Sequence, residues 1–491
     1  MPTPSASKTE VEKPTHFTTE PIVSRITAAL VVAMLLVPTA ALADDYTDAD
    51  YRDYDIDSQQ RGNSRQPAQA TDPAFAEAFV GAGVDTWLSD AGQAANDLRA
   101  GRLYTGAGRY VPGGSAGDPR YYYDVTSTEV AFTARTGAKL TGHVWAPIDA
   151  PGRRPGVVIT SGSIQGYEAM YFWAARDLAR HGYLVLTWDA QGQGRSEGVG
   201  HAPGSPMPTV DGVPFQQSAN FVEATVDALE FFLSTPDAPY VPPTWTEEDA
   251  ATAREAADGV EQLDDVNPLH ALLAADAIGL AGHSLGGSGV SAVQQCSDEG
   301  TVWTTLPELC NDRSYPIRAV VGWDGLSGGV TPVVPAMDQN ADGYFFNTTP
   351  QFSSPDPEAN LAPFDAWTAA GLDAYSLTVR GGTHLEWCDL PYLLPATTYG
   401  TEMATAYTTA WFDRYLAPED ATRTGALDTL LTAPTADADQ PESGTNLSGS
   451  RASAYRLTTL DVTPAVLETR DLRATAGWAE VGDWAAILAE G

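Results

Sequence analysis

Residues 277–287, Ala-Ile-Gly-Leu-Ala-Gly-His-Ser-Leu-Gly-Gly, constrain the fold of this chain more than any other stretch. A short apolar run enters Gly282-His283-Ser284-Leu285-Gly286, and small residues (Gly287, Ser288, Gly289) lead on into a helical pattern. Gly-x-Ser-x-Gly between a strand and a helix is the pattern of a nucleophile elbow. The turn is tight enough to force unusual backbone angles on the serine, and the glycines remove side chains that would collide with the neighbouring strand. The expected result is a Ser284 hydroxyl standing above a sheet edge. The N–H of Leu285 would then lie at a helix N-terminus, where partial positive charge suits a developing oxyanion.

The pattern on either side of the elbow alternates strands and helices. Thr128, Val130 and Phe132 alternate before a Thr136-Gly137 turn, and Leu140 and Val144 continue on a return strand. Residues 157–160 (Val-Val-Ile-Thr) form a continuous apolar run, as a strand buried on both faces requires. A Ser161-Gly162-Ser163-Ile164-Gln165-Gly166 loop follows, then a helix over 167–181 and a strand over 183–188. That strand ends in Asp189-Ala190-Gln191-Gly192-Gln193-Gly194-Arg195-Ser196-Glu197-Gly198, which reads as a structural turn. A helix over 215–234 places Val222, Val226, Leu229 and Leu233 on one face. A Pro- and acid-rich insertion occupies about 235–268, ahead of the elbow strand. Strands are expected over 317–323, 330–337 and 374–380, and a closing helix over 403–416. This alternation predicts an α/β fold with a mostly parallel central sheet flanked by helices.

Expected boundaries follow from composition. Arg25, an apolar run over 26–37, and Ala41-Leu42-Ala43 ahead of Asp44-Asp45 make residues 1–43 a secretory signal peptide, and so predict a secreted, extracellular protein. Residues 44–72 are an acidic linker carrying Asp48, Asp50, Asp53, Asp55 and Asp57. A catalytic domain is expected over 73–418, beginning with a helical patch over 75–99. A C-terminal extension over 419–491 has only weak periodicity. The formal net charge is −37, with 64 acidic against 27 Lys and Arg side chains. Such a field repels phosphate, which argues against nucleic acid and against stable association with an anionic membrane. Of the three cysteines, Cys296 and Cys310 flank a short segment after the elbow helix and are expected to pair. Cys388 is then left free.

The order of elements resembles the α/β-hydrolase superfamily. It runs strand, Ser-Gly-Ser loop, helix, strand, Asp-x-x-Gly-x-Gly-x-Ser, helix and Gly-His-Ser-Leu-Gly, and the resemblance covers roughly residues 128–416. Within that superfamily the chain is similar to exported serine esterases and lipases, including cutinase-like and dienelactone-hydrolase-like members. The turn at 189–198 also resembles α-amino-acid ester hydrolases and prolyl dipeptidyl-peptidases. Many relatives carry His-Gly where this chain has Ser161-Gly162.

The resemblance implies serine, acid and histidine in that chain order. Of seven histidines only His384 follows Ser284, in an Arg380-Gly381-Gly382-Thr383-His384 loop past the last expected strand. The acid is expected in the loop after the strand at 330–337. Asp342 is favoured there, Asp324 is the runner-up and Asp338 comes third. The oxyanion hole is expected from the N–H groups of Leu285 and Ser163, with Ile164 as the alternative to Ser163. Trp188, Trp323, Tyr167 and Trp387 are candidates for an acyl pocket or for plain core. Asp338, Asn340, Asp342 and Gly343 have the spacing of a calcium loop, but the twelfth position is Thr349 and a strand precedes it, so no metal is expected. No cofactor is needed. The implied function is hydrolysis of a small-molecule or polymeric carboxylic ester through an acyl-enzyme. The alternatives are a peptidase or amidase with the same triad, or a non-catalytic binding module of this fold.

Overall fold

A computed structural model describes residues 125–148, 151–163, 167–197, 200–205, 219–257, 263–341, 361–379, 384, 386–388 and 400–431, with strand segments at 439–440, 445–446, 452–459 and 466–470. The expected signal peptide, the acidic linker and the helical patch at 75–99 lie outside the described residues.

An antiparallel hairpin of β1 (Val125–Thr133) and β2 (Lys139–Pro147) opens the sheet, turning where Thr136-Gly137 was expected to turn it. β3 (Arg154–Thr160), β4 (Leu184–Trp188), β5 (Leu273–His283), β6 (Ile317–Trp323), β7 (Ala336–Ala341) and β8 (Ala374–Val379) then pair in parallel, in the order β4-β3-β5-β6-β7-β8. β2 joins this block antiparallel along β4. Alternation along each strand divides its side chains between two cores. Val157 and Ile159 of β3 face a cluster with α1 (Phe172–Arg180), whereas Val158 faces one containing Phe221, Val226 and Leu229. Those three belong to α2 (Ala219–Leu233). A mostly parallel sheet flanked by helices on both faces is therefore the architecture, as the alternating pattern implies.

Three elements differ from the sequence expectation. The strand expected at 330–337 begins only at Ala336, because Pro332 and Pro335 have no N–H to donate to a ladder. It runs on through Asp338, Gln339 and Asn340 to Ala341, so Asp338 sits within β7 and not in the loop after it. The helix expected from residue 167 opens as a 3-10 turn, Glu168–Tyr171. The insertion at 235–268 contains a helix of its own, α3 (Glu247–Ala257), on a small cluster of Trp245, Ala250 and Ala253.

The chain beyond residue 418 also contributes to the sheet. After α4 (Leu285–Val293), α5 (Ala362–Ala369), α6 (Gly400–Leu416) and α7 (Asp420–Leu431), a two-stranded ribbon pairs β9 (Asp439–Gln440) with β10 (Thr445–Asn446). β11 (Ala452–Thr459) then adds antiparallel to β8, and β12 (Val466–Arg470) adds to β11. The periodicity of β11 is partly hidden because Thr, Ser and Arg occupy half of it. No helix among the described residues is long and apolar enough to cross a membrane.

Candidate active site

Ser284 lies between β5 and α4 with φ of 57° and ψ of −123°, outside the regions that an L-residue ordinarily adopts. Two neighbours hold it there. Its N–H donates to the Trp323 carbonyl at the end of β6 (3.1 Å), and its own carbonyl accepts from the Ser288 N–H (3.1 Å). Gly286 is a requirement of close approach, since a Cβ at that position would lie 2.3 Å from the Thr160 carbonyl oxygen and 2.5 Å from that of Ser161. Leu285 is the first residue of α4, so its N–H lacks an intrahelical partner. The half-buried Ser284 thus meets the features expected of an elbow.

The parallel register of β5 and β6 places Gly282 opposite Gly322 and His283 opposite Trp323. Ser284 and Asp324, the next residue on each strand, consequently emerge side by side. Asp324 also has positive φ, 46°, and its N–H donates to the Gln339 carbonyl of β7 (2.6 Å). Gly325 packs against the serine so closely that a Cβ there would lie 2.2 Å from the Ser284 carbonyl oxygen.

His384 follows β8, and its Nδ1 donates to Asp324 Oδ2 at 2.5 Å. Both side chains are about nine-tenths buried, so the contact is charge-assisted and poorly screened whenever the imidazole is protonated. The carboxylate on the His384 ring therefore belongs to Asp324, the runner-up. Favoured Asp342 lies outside the described residues, as do Ile164 and the loop residues 380–383. Asp338 is inside β7, accepts from Asn340 Nδ2 (2.8 Å), and is pushed well above the usual carboxylate range by burial. Among the described residues no group of three or more His, Cys, Asp or Glu side chains is placed to hold a metal ion.

Ser163, half-buried, lies in the loop after β3, next to a Gly162 whose peptide is held on both sides. The Gly162 N–H donates to Tyr171 Oη (2.9 Å), and the Gly162 carbonyl accepts from Gln193 Nε2 (2.9 Å). A Cβ built on Gly162 would lie 3.2 Å from Ser284 Cβ, which places this loop directly over the serine. Gln193 belongs to the turn after β4, which is organised by buried Asp189. That carboxylate accepts the N–H groups of Glu168 (2.6 Å) and Arg195 (3.0 Å). Burial, with the neighbouring Glu168 carboxylate, pushes Asp189 up to about 7. Arg195 turns away to Glu168 and Glu129. Through Gln193 the turn braces the loop beside the serine.

Trp188, Trp323 and Trp387 have no exposed surface, so they are core and not the wall of an acyl pocket. Tyr167 is half-buried against the same core. Cys296 and Cys310 form a disulfide, which Cys388 does not join. Sequence reasoning missed Tyr171, Gln193 and His283. His283 was the accessible one, since it is the variable residue of the elbow itself and immediately precedes the serine.

The chain matches no protein-family model, and a search of curated proteins finds no match either.

Proposed function

We propose that this chain is a serine hydrolase of the α/β-hydrolase type, acting on carboxylic esters through an acyl-enzyme. The observation that carries this reading is the convergence of Ser284, at strained φ on a helix N-terminus, with the Asp324–His384 pair at the end of the adjacent strand. A serine hydroxyl is a weak nucleophile until a base takes its proton, and a base works best when a carboxylate fixes its tautomer. Asp324 accepts from Nδ1, which leaves Nε2 of His384 as the basic nitrogen.

In this reading Ser284 Oγ adds to the ester carbonyl while His384 Nε2 takes its proton. The carbonyl oxygen becomes an oxyanion held by the Leu285 N–H and a second N–H from the loop after β3, for which Ser163 is the candidate. The imidazolium, stabilised by Asp324, returns the proton to the departing alkoxide. Water then adds to the acyl-enzyme, giving its proton to Nε2, and the second tetrahedral intermediate expels Ser284, which recovers that proton. The acid product leaves and the enzyme is restored. No step needs a metal or a cofactor.

Turnover of p-nitrophenyl esters of graded acyl length, beside p-nitroanilides, tests the reading with the mature protein and Ser284→Ala. Ester turnover that vanishes in the variant is the expected result. Turnover of anilides alone would make the protein a peptidase or amidase. No turnover of either, with no fluorophosphonate labelling of Ser284, would reject catalysis and leave a binding module of this fold.

A further inference from the structure

His283 is buried directly behind the candidate nucleophile, and its two ring nitrogens meet two different parts of the site. Nε2 lies 2.7 Å from the backbone carbonyl oxygen of His384. Nδ1 lies 2.8 Å from Tyr171 Oη, which itself accepts the Gly162 N–H. A carbonyl can only accept, so Nε2 carries the proton and Nδ1 is the acceptor. The Tyr171 hydroxyl, already accepting from Gly162, has its own proton free for Nδ1. The chain of donors therefore has one direction: Gly162 N–H to Tyr171 Oη, Tyr171 O–H to His283 Nδ1, and separately His283 Nε2–H to the His384 carbonyl.

We propose that Tyr171 and His283 are positioning residues that tie the backbone of the oxyanion loop to the backbone of the catalytic histidine, and so set the spacing between oxyanion donors and base. The inference rests on the serine-hydrolase reading above.

Packing gives the link its stiffness. The Tyr171 ring stacks on Trp323 at 6.3 Å and an interplanar angle of 4°, and Trp323 both receives the Ser284 N–H and precedes Asp324. The His283 ring lies 4.6 Å from the His384 ring. One buried pair thus touches the loop after β3, the elbow, the strand end that presents the acid, and the base. Burial, reinforced by His384, holds His283 well below its ordinary value, consistent with the neutral tautomer that the geometry requires. The Cys388 thiol approaches Nδ1 at 3.2 Å, but a thiol is a weak donor and the Tyr171 hydroxyl is the stronger partner. A merely space-filling pair would not need polar atoms facing two backbone groups, because burying them without partners is costly.

The test uses Tyr171→Phe, His283→Asn and His283→Gln in the mature protein, with active sites counted by fluorophosphonate titration. Glutamine can place an amide N–H near the former Nε2 and keep the bond to the His384 carbonyl, whereas asparagine reaches only the level of Nδ1. Y171F and H283N should lower kcat per active site by roughly 10- to 100-fold, the scale of a misplacement of about 1 Å, with KM nearly unchanged. H283Q should show a loss of the same order, because it keeps the bond to the His384 carbonyl but leaves the Tyr171 hydroxyl without its acceptor at Nδ1. Wild-type kcat per titrated site in any one of Y171F, H283N and H283Q would overturn the proposal, because each cuts the link at one end. A purely structural role would instead reduce the number of titratable sites and leave kcat for each intact. Nitrogen-15 NMR of the wild-type protein provides a check independent of variant folding. His283 should be neutral with its proton on Nε2, and a doubly protonated ring or an Nδ1–H tautomer would overturn the proposal. Absence of fluorophosphonate labelling in the wild type would instead defeat the hydrolase reading, and the NMR result would still decide whether the hydrogen-bond chain exists.

Discussion

His384 Nδ1 and Asp324 Oδ2 lie 2.5 Å apart although sixty residues separate them in sequence. The contact depends on the parallel ladder that carries β6 beside β7 and β7 beside β8, bringing the ends of the first and last of these strands toward one corner of the sheet.

Removing the negative charge from that contact should remove most of the catalysis. Asp324→Asn keeps the volume but no longer favours the tautomer with a basic Nε2. The expected loss in kcat is about 10⁴-fold on ester substrates. Asp338→Asn and Asp342→Asn should each cost only a small fraction of that loss, because Asp324 is the carboxylate on the imidazole. Steady-state kinetics of the three variants decides the assignment. A full loss in D342N with an active D324N would reverse it.

The backbone approaches around the serine predict a stability effect. Gly286→Ala puts a methyl 2.3 Å from the Thr160 carbonyl oxygen, and Gly325→Ala puts one 2.2 Å from that of Ser284. Both contacts are with backbone, which cannot swing aside. Each variant should be destabilised by about 1–3 kcal/mol or more, read as a lower urea midpoint. An unchanged midpoint in either would mean that the local packing is looser than described.

Asp338 predicts a pH dependence. Burial raises its folded value well above that of an unfolded aspartate, so the folded state holds a proton that the unfolded state has released. For a raised carboxylate the stabilising contribution is fully present below the unfolded value and is lost as pH rises through the folded one. The isosteric Asp338→Asn never has to give up that proton. Wild-type stability should therefore fall relative to D338N as pH is raised from about 4, the ordinary aspartate value. Urea denaturation across pH 4–8 would show the two curves diverging toward high pH, and parallel curves would contradict the expectation.

The Cys296–Cys310 bridge closes a segment with a sequence separation of 14. Removing loop-closure entropy of that size from the unfolded chain corresponds to about 3 kcal/mol. Replacing both cysteines with alanine should lower the unfolding free energy on that scale while sparing the fluorophosphonate reactivity of folded protein. A change of less than about 1 kcal/mol would show that the unfolded chain is already restrained there.

Much of the framework was legible because it is written locally. Period-2 alternation marked the β1–β2 hairpin, continuous apolar runs marked β3 and β4, and Gly-x-Ser-x-Gly marked the turn at Ser284. β7 was misplaced because hydrophobicity was the guide there. Its true span is polar and buried, with Gln339 bonded to Thr408, Asn340 to Thr378, and Asp338 to Asn340 of the same strand. The strands beyond residue 418 were missed for a similar reason. A strand such as β11, recruited at a sheet edge by β8, needs little periodicity of its own.

The sequence by itself determined the elbow, the alternation of strands and helices and the disulfide partners, since each is marked by residues close together along the chain. Chain order also left His384 as the single histidine after Ser284. Only the tertiary structure decided which aspartate meets that histidine, and that Tyr171 and His283 join the loop after β3 to it. Those relationships are set by strand register and by hydrogen-bond directions across segments distant in sequence. A carboxylate at residue 324, 338 or 342 looks the same until the ladder fixes which strand end carries it to the imidazole.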